Sequence, residues 1–109
     1  MINWLYPAHV MPPHAVTTPA KVASLMKDFE EFGWWGEALV GYVTYDKRSR
    51  EYAVQLLSGS HRWAAALKLG IRIPVYVVPE EDVDDAWGDL DKWSKLMQLG
   101  HSAELSVRF

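Results

Sequence analysis

The stretch of residues 52–78 restricts the fold of this chain more than any other feature. Residues 52–57 are rich in β-branched, aromatic and aliphatic side chains and predict a strand. Ser58-Gly59-Ser60 interrupts them, and an alanine-rich helix is expected over residues 61–69, closed by Gly70. A second strand follows over residues 73–78, bounded by Pro74 and Pro79. Upstream, residues 39–45 have the same strand character as residues 52–57, and the polar segment 46–51 between them reads as a hairpin loop. The expected class is therefore α/β: a mixed sheet containing an antiparallel hairpin, followed by a strand, turn, helix, strand unit.

The flanking segments extend this pattern. Residues 7–19 are proline-rich but too short to link domains, and they read as an extended lead-in. Thr18 is placed to cap a helix and Pro19 to open it, because the N–H that proline lacks has no partner in a first helical turn. Val22, Leu25, Met26 and Phe29 follow the spacing of a buried stripe, and Gly33 can end the helix. Lys21, Ser24 and Asp28 share a second stripe beside the apolar one, aimed at a groove next to the core. A last helix is expected over residues 81–99, with Val83, Trp87, Leu90, Trp93 and Met97 near one face and Gly88 as its weak point. The tail, residues 103–109, fits either a short strand or a frayed end.

A chain of 109 residues suits one domain spanning 1–109. Cysteine is absent, which excludes disulfides, thiolate metal sites and a cysteine nucleophile. No apolar run approaches the roughly 20 residues of a membrane span, so a cytoplasmic protein without a membrane partner is expected. The net charge of −3 disfavours a general phosphate-backbone binder, so a nucleic-acid partner is not the favoured reading. Charge is nonetheless segregated. Glu80, Glu81, Asp82, Asp84, Asp85, Asp89 and Asp91 form a run with no lysine or arginine among them, whereas residues 47–50 are basic. The acidic run reads as a solvated helix face, with a protein-docking surface as the alternative.

Gly59-Ser60-His61-Arg62 brings together what a phosphate site requires at a helix start: a glycine for close backbone approach, a hydroxyl, an imidazole and a guanidinium. The wider stretch LLSGSHRWAAALKLGIRIPVYVV, residues 56–78, resembles the signature of the ParB/sulfiredoxin superfamily. Pro19-Ala20-Lys21-Val22-Ala23-Ser24-Leu25 is similar to the helix that sulfiredoxins place over ATP phosphates. The resemblance implies a nucleotide site in which Gly59, Ser60, His61 and Arg62 meet the phosphates, with Lys21 and Ser24 contributing from the first helix. It implies ATP, CTP or another NTP or NDP as ligand, with Mg²⁺. Asp28 then either helps to hold the metal or weakens nucleotide binding by its charge. Ser60 stands where a sulfiredoxin has its catalytic cysteine, and a hydroxyl cannot form that enzyme's sulfur-linked intermediates, so sulfiredoxin activity is not expected.

Three functions follow as expectations. The first is nucleotide binding for phosphoryl transfer or NTP hydrolysis; another branch of the superfamily phosphorylates free serine using an acidic base, and Glu37 is the candidate here. The second is a non-catalytic interaction module, of the phage or plasmid type that the resemblance implies, working through Trp34, Trp35 or the acidic helix. Adjacent tryptophans cannot share one core, so either one lies exposed to stack a base or grip a partner, or one is buried and the other packs across the hairpin. The third is a ParB-like nuclease, although the chain's histidines show no metal-ligand spacing.

Overall fold

The computed structural model of the chain describes residues 2–16, 18–101 and 105–107. The predicted hairpin is present: β4 (Leu39–Asp46) pairs antiparallel with β5 (Glu51–Leu56), from Gly41 opposite Leu56 to Asp46 opposite Glu51. Its turn closes through the Arg50 N–H donating to the Asp46 carbonyl at 2.8 Å, with Arg50 in the left-handed region at φ 58°. β6 (Ile73–Val78) returns parallel to β4, Leu39 facing Val75 and Tyr42 facing Val78. Pro74 is tolerated in this interior strand because it precedes the residue at which pairing with β4 begins.

Two strands of the main sheet lay outside the sequence reading. β1 (Ile2–Leu5) adds antiparallel to β6, and β2 (Val10–Met11) adds parallel to β5, completing a five-stranded sheet in the order β1-β6-β4-β5-β2. The proline-rich lead-in is therefore not simply extended, since a 3-10 turn at Pro7–His9 precedes β2. The Trp63 indole ties this turn down, donating to the carbonyls of Pro7 at 2.9 Å and Val10 at 3.1 Å. A separate two-stranded sheet pairs β3 (Trp34–Gly36) antiparallel with β7 (Leu105–Val107), which resolves the tail in favour of a short strand.

Strand alternation divides the core between the two sheet faces. Leu39, Ile73 and Val75 pack with Val22 and Phe29 of α1 (Pro19–Phe32) and with Ala65 and Ala66 of α2 (Ser60–Leu69). Val40 and Val78 point the other way, into Val83, Ala86 and Leu96. Each such side chain contributes about 1.5 to 3 kcal/mol by leaving water. Ala64, Ala65 and Ala66 are all buried, and their small size lets α2 lie close to the sheet and to α1. Gly33 ends α1 as expected, with φ 73° and its N–H bonded to Phe29. Thr18 does not act as a side-chain cap: its carbonyl accepts from Lys21 and Val22, but its hydroxyl makes no capping bond.

The long final helix is replaced by two shorter ones, α3 (Glu80–Ala86) and α4 (Leu90–His101). Gly88 turns the backbone at φ 78°, and Asp89 starts the next helix by accepting the N–H groups of Asp91 and Lys92 on its carboxylate. The apolar stripe expected along one helix is broken with it. Val83 is buried and Trp93 half-buried, but Trp87 is 77% and Leu90 84% exposed. Trp34 is fully buried, stacked on Phe29 at a centroid distance of 5.0 Å, and so presents no surface to a partner. The Trp35 side chain lies outside what is described. Among the described residues no helix is long and apolar enough to cross a membrane.

Candidate functional site

The turn between β5 and α2 is built around Gly59. It sits at φ 89°, and a Cβ there would come within 2.5 Å of the Leu39 Cδ2, so the backbone packs against β4 where no larger residue fits. Gly59 is the N-cap of α2, and no side chain caps this helix. The first N–H to find a helical carbonyl is that of Trp63, bonded to Gly59 at 2.8 Å. Helix geometry leaves the first-turn N–H groups of α2 without intrahelical acceptors, at the positive end of the helix dipole.

These groups border a cleft of about 640 Å³ between α1, the β3–β4 connection and the β5–α2 turn. Lys21 and Ser24, one turn apart on α1, line it together with Gly59, Ser60, His61, Arg62 and Glu37. All the residues assigned to nucleotide binding from sequence therefore meet at one cavity, with the proposed base beside them. Asp28 does not line it: it lies a further turn along α1, about 6 Å beyond Ser24. The shared stripe thus brings Lys21 and Ser24 to the cleft lining and leaves Asp28 outside it. Among the described residues no group of three or more histidine or acidic side chains is placed to hold a metal, and Glu37 is the one acidic residue lining the cleft.

Burial sets apart three polar atoms in and beside the cleft. Ser60 is 2% exposed, and its Oγ has no hydrogen-bond partner; the Nε2 of His61 and the Nε1 of Trp34 are likewise buried and unpartnered. A buried polar atom left unpaired costs about 1 to 3 kcal/mol, so these atoms mark where the fold departs from ordinary economy. Arg62 is held from the other side. Its guanidinium lies over the Trp34 ring, 5.7 Å from the centroid, and one nitrogen donates to the Glu37 carbonyl at 3.5 Å. Gly36 passes beside it in the left-handed region at φ 95°, close enough that a Cβ would stand in ordinary contact, 3.7 Å, with both terminal nitrogens.

The apolar wall of the cleft, Leu25, Leu39, Val40 and Met97, was not identified from sequence, nor was His14. Met97 comes from α4, whose end approaches β4 so closely that a Cβ on Gly100 would lie 2.3 Å from the Ala38 carbonyl oxygen. The seat of Arg62 was also missed, although Gly33-Trp34-Trp35-Gly36 carried its signal in two glycines flanking an aromatic pair. Chemically, the cleft combines cationic and N–H donors with apolar side chains in one lining. Such a surface suits a ligand that is anionic at one end and flat or apolar at the other.

A mixed sheet with helices on both faces and a glycine turn opening a helix beside such a cleft defines a small α/β class with known members. No protein-family model matches the chain, and no curated protein matches it in sequence. Among solved structures, it is similar to the sulfiredoxin of Arabidopsis thaliana, with a TM-score of 0.58 and 22% identity over 80% of this chain and 97% of that one. It is also similar to a conserved hypothetical protein from Pyrococcus furiosus, with a TM-score of 0.55 and 16% identity over 72% of this chain. The match spans 32% of the Pyrococcus protein. The chain has a ParB/sulfiredoxin-like fold.

Proposed function

We propose that the cleft binds the phosphates of a nucleoside di- or triphosphate and that the protein uses this for phosphoryl transfer or hydrolysis. The observation that carries the reading is the convergence of Lys21, Ser24, His61 and Arg62 on a helix N-terminus whose Ser60 hydroxyl is buried without a partner. Lys21 supplies a mobile point charge to phosphate oxygens and Arg62 a planar fork held in place by Trp34. The free N–H groups of the α2 first turn complete the anion cradle. The wall of Leu25 and Met97 offers a surface for the base.

Glu37 is the candidate for accepting a proton from an attacking hydroxyl or water, since its residue lines the cleft beside Arg62. Mg²⁺ would arrive bound to the nucleotide, because the protein supplies too few carboxylates here to build a metal cage of its own. The sulfur chemistry of a sulfiredoxin is not part of the proposal, since Ser60 occupies the turn and the chain has no cysteine.

The test is a thermal-shift titration with ATP, ADP, CTP and GTP, each with and without Mg²⁺. A ligand at 100 times its dissociation constant adds about 2.7 kcal/mol, which in a domain of this size moves the midpoint by roughly 10 to 20 °C. Lys21→Ala is the cleaner variant, because Lys21 is exposed and its removal leaves the fold intact. It should keep the unliganded midpoint and lose most of the shift; Arg62→Ala should lose the shift too, but from a lower starting midpoint. Absence of a shift with every nucleotide in the wild type would sink the reading.

A further inference from the structure

The strongest unexplained features lie away from the cleft, on two oppositely charged projections. The first is the hairpin tip, where Lys47, Arg48 and Arg50 are exposed between Asp46 and Glu51 and leave the tip net positive, above a Tyr45–Tyr52 edge-to-face pair at 5.3 Å. Tyr52 is 76% exposed. The second is the α3–α4 turn. Trp87 and Leu90 stand in solvent on either side of Gly88, Trp87 meets Trp93 edge-to-face at 6.0 Å, and a shallow cavity of about 410 Å³ opens beside them. Five carboxylates of α3 precede this turn; Asp85 is paired with Lys92 of α4 at 3.1 Å, and Glu80, Glu81, Asp82 and Asp84 stand at exposed positions. Had Gly88 and Asp89 not broken the helix, Trp87 and Leu90 would have continued the buried stripe of Val83. The break instead leaves both in water, Trp87 77% and Leu90 84% exposed.

The topology sets the two projections at one end of the sheet. β6 stops at Val78, opposite Tyr42, and passes directly into α3, whereas β4 runs on past that level to the hairpin tip at Asp46. The Trp87 turn is one short helix, about 10 Å, from there. A basic, aromatic projection and an acidic, aromatic notch on the same end of one chain are self-complementary: in a twofold pair, each copy offers its hairpin to the other's notch, and both contacts form at once.

We propose that two copies of the chain associate in this way, the Lys47, Arg48 and Arg50 tip of each seated against the Trp87–Leu90 turn and α3 carboxylates of the other. Arginine over the exposed indole adds a cation–π contact to the charge pairing. The interface is separate from the nucleotide cleft and stands or falls independently of it.

Sedimentation equilibrium on the full chain, at several protein concentrations and in low and high salt, tests the proposal. The wild type is expected to dimerise and to dissociate as salt screens the exposed charges. Arg48→Glu and Asp84→Lys, both at exposed positions, should each raise the dissociation constant about tenfold or more while leaving the thermal midpoint unchanged. An equimolar mixture of the two variants should recover the dimer, because one of its contacts is native and the other has its charges exchanged. A mixture that stays monomeric, or a dimer indifferent to both variants, overturns the proposal. So does a wild type monomeric under all conditions, and the Trp87 turn would then belong to a different, basic partner.

Discussion

The cleft beside α2 and the turn between α3 and α4 depart from ordinary burial in opposite directions. At the cleft, polar atoms are taken out of water and given nothing: the Ser60 Oγ and His61 Nε2 are enclosed without hydrogen bonds. At the turn, apolar groups that a core would accept are left outside, with Leu90 84% exposed. The Nε1 of Trp34, whose ring carries Arg62 beside the cleft, shares the first departure, whereas Ile73, Val75 and Ala65 are wholly buried apolar side chains. The two departures therefore single out the places where the folded chain is incomplete by itself. A small polar anion would complete the first, and a protein surface the second, because an unpaired donor needs a directional partner whereas an exposed indole needs area.

The sharpest way to break this contrast is through Trp34, which belongs to the core and to the cleft at once. Its ring packs on Phe29 and carries the guanidinium of Arg62. Trp34→Ala should cost about 3 to 5 kcal/mol in chemical denaturation, the usual range for emptying a tryptophan site. It should also weaken nucleotide binding, because Arg62 loses its seat. A variant that loses less than 1 kcal/mol would mean that the cleft is not built on the core in the way the packing indicates.

Local signals made the centre of the molecule legible. The β-branched and aromatic richness of residues 39–45 and 52–57 and the glycines at 59 and 70 specify the hairpin and the β5–α2–β6 unit, because strand pairing and helix ends there depend on neighbours in sequence. β1 and β2 were missed for the converse reason. They are four and two residues long, and their stability comes from partners far along the chain, as Ile2 opposite Tyr76 illustrates. The break at Gly88 was weighed against a periodic apolar pattern and discounted, yet glycine in the left-handed region followed by a capping Asp89 is enough to end one helix and begin another. In the cleft, the polar residues were legible from a compact motif, while Asp28 shows that a shared helix stripe does not guarantee a shared cavity. The apolar wall needed Met97, brought from α4 by tertiary packing that no local pattern announces.

Ser60 offers a smaller effect of the opposite sign. Ser60→Ala removes a buried hydroxyl that has no partner, so the ligand-free protein should gain about 1 kcal/mol. The nucleotide-induced shift should fall at the same time. Stability and binding moving in opposite directions is the signature of a group held ready for a ligand, and differential scanning calorimetry with and without nucleotide reads both. Loss of stability on this substitution would instead mean that the hydroxyl already serves the fold.

At the α3–α4 turn the smallest effect is expected, and its smallness carries the argument. Leu90 touches so little of its own chain that Leu90→Ser should change the stability of the monomer by no more than about 0.5 kcal/mol, the range for surface positions. If the turn exists to meet another surface, the same substitution must show in association and not in folding: a higher dissociation constant for the pair, an unchanged denaturation midpoint measured at high dilution. A core leucine behaves the other way round. Should Leu90→Ser destabilise the dilute monomer by 2 kcal/mol or more, the value expected for a buried aliphatic side chain, the residue would belong to the core, and the contrast between the two ends of the molecule would dissolve with it.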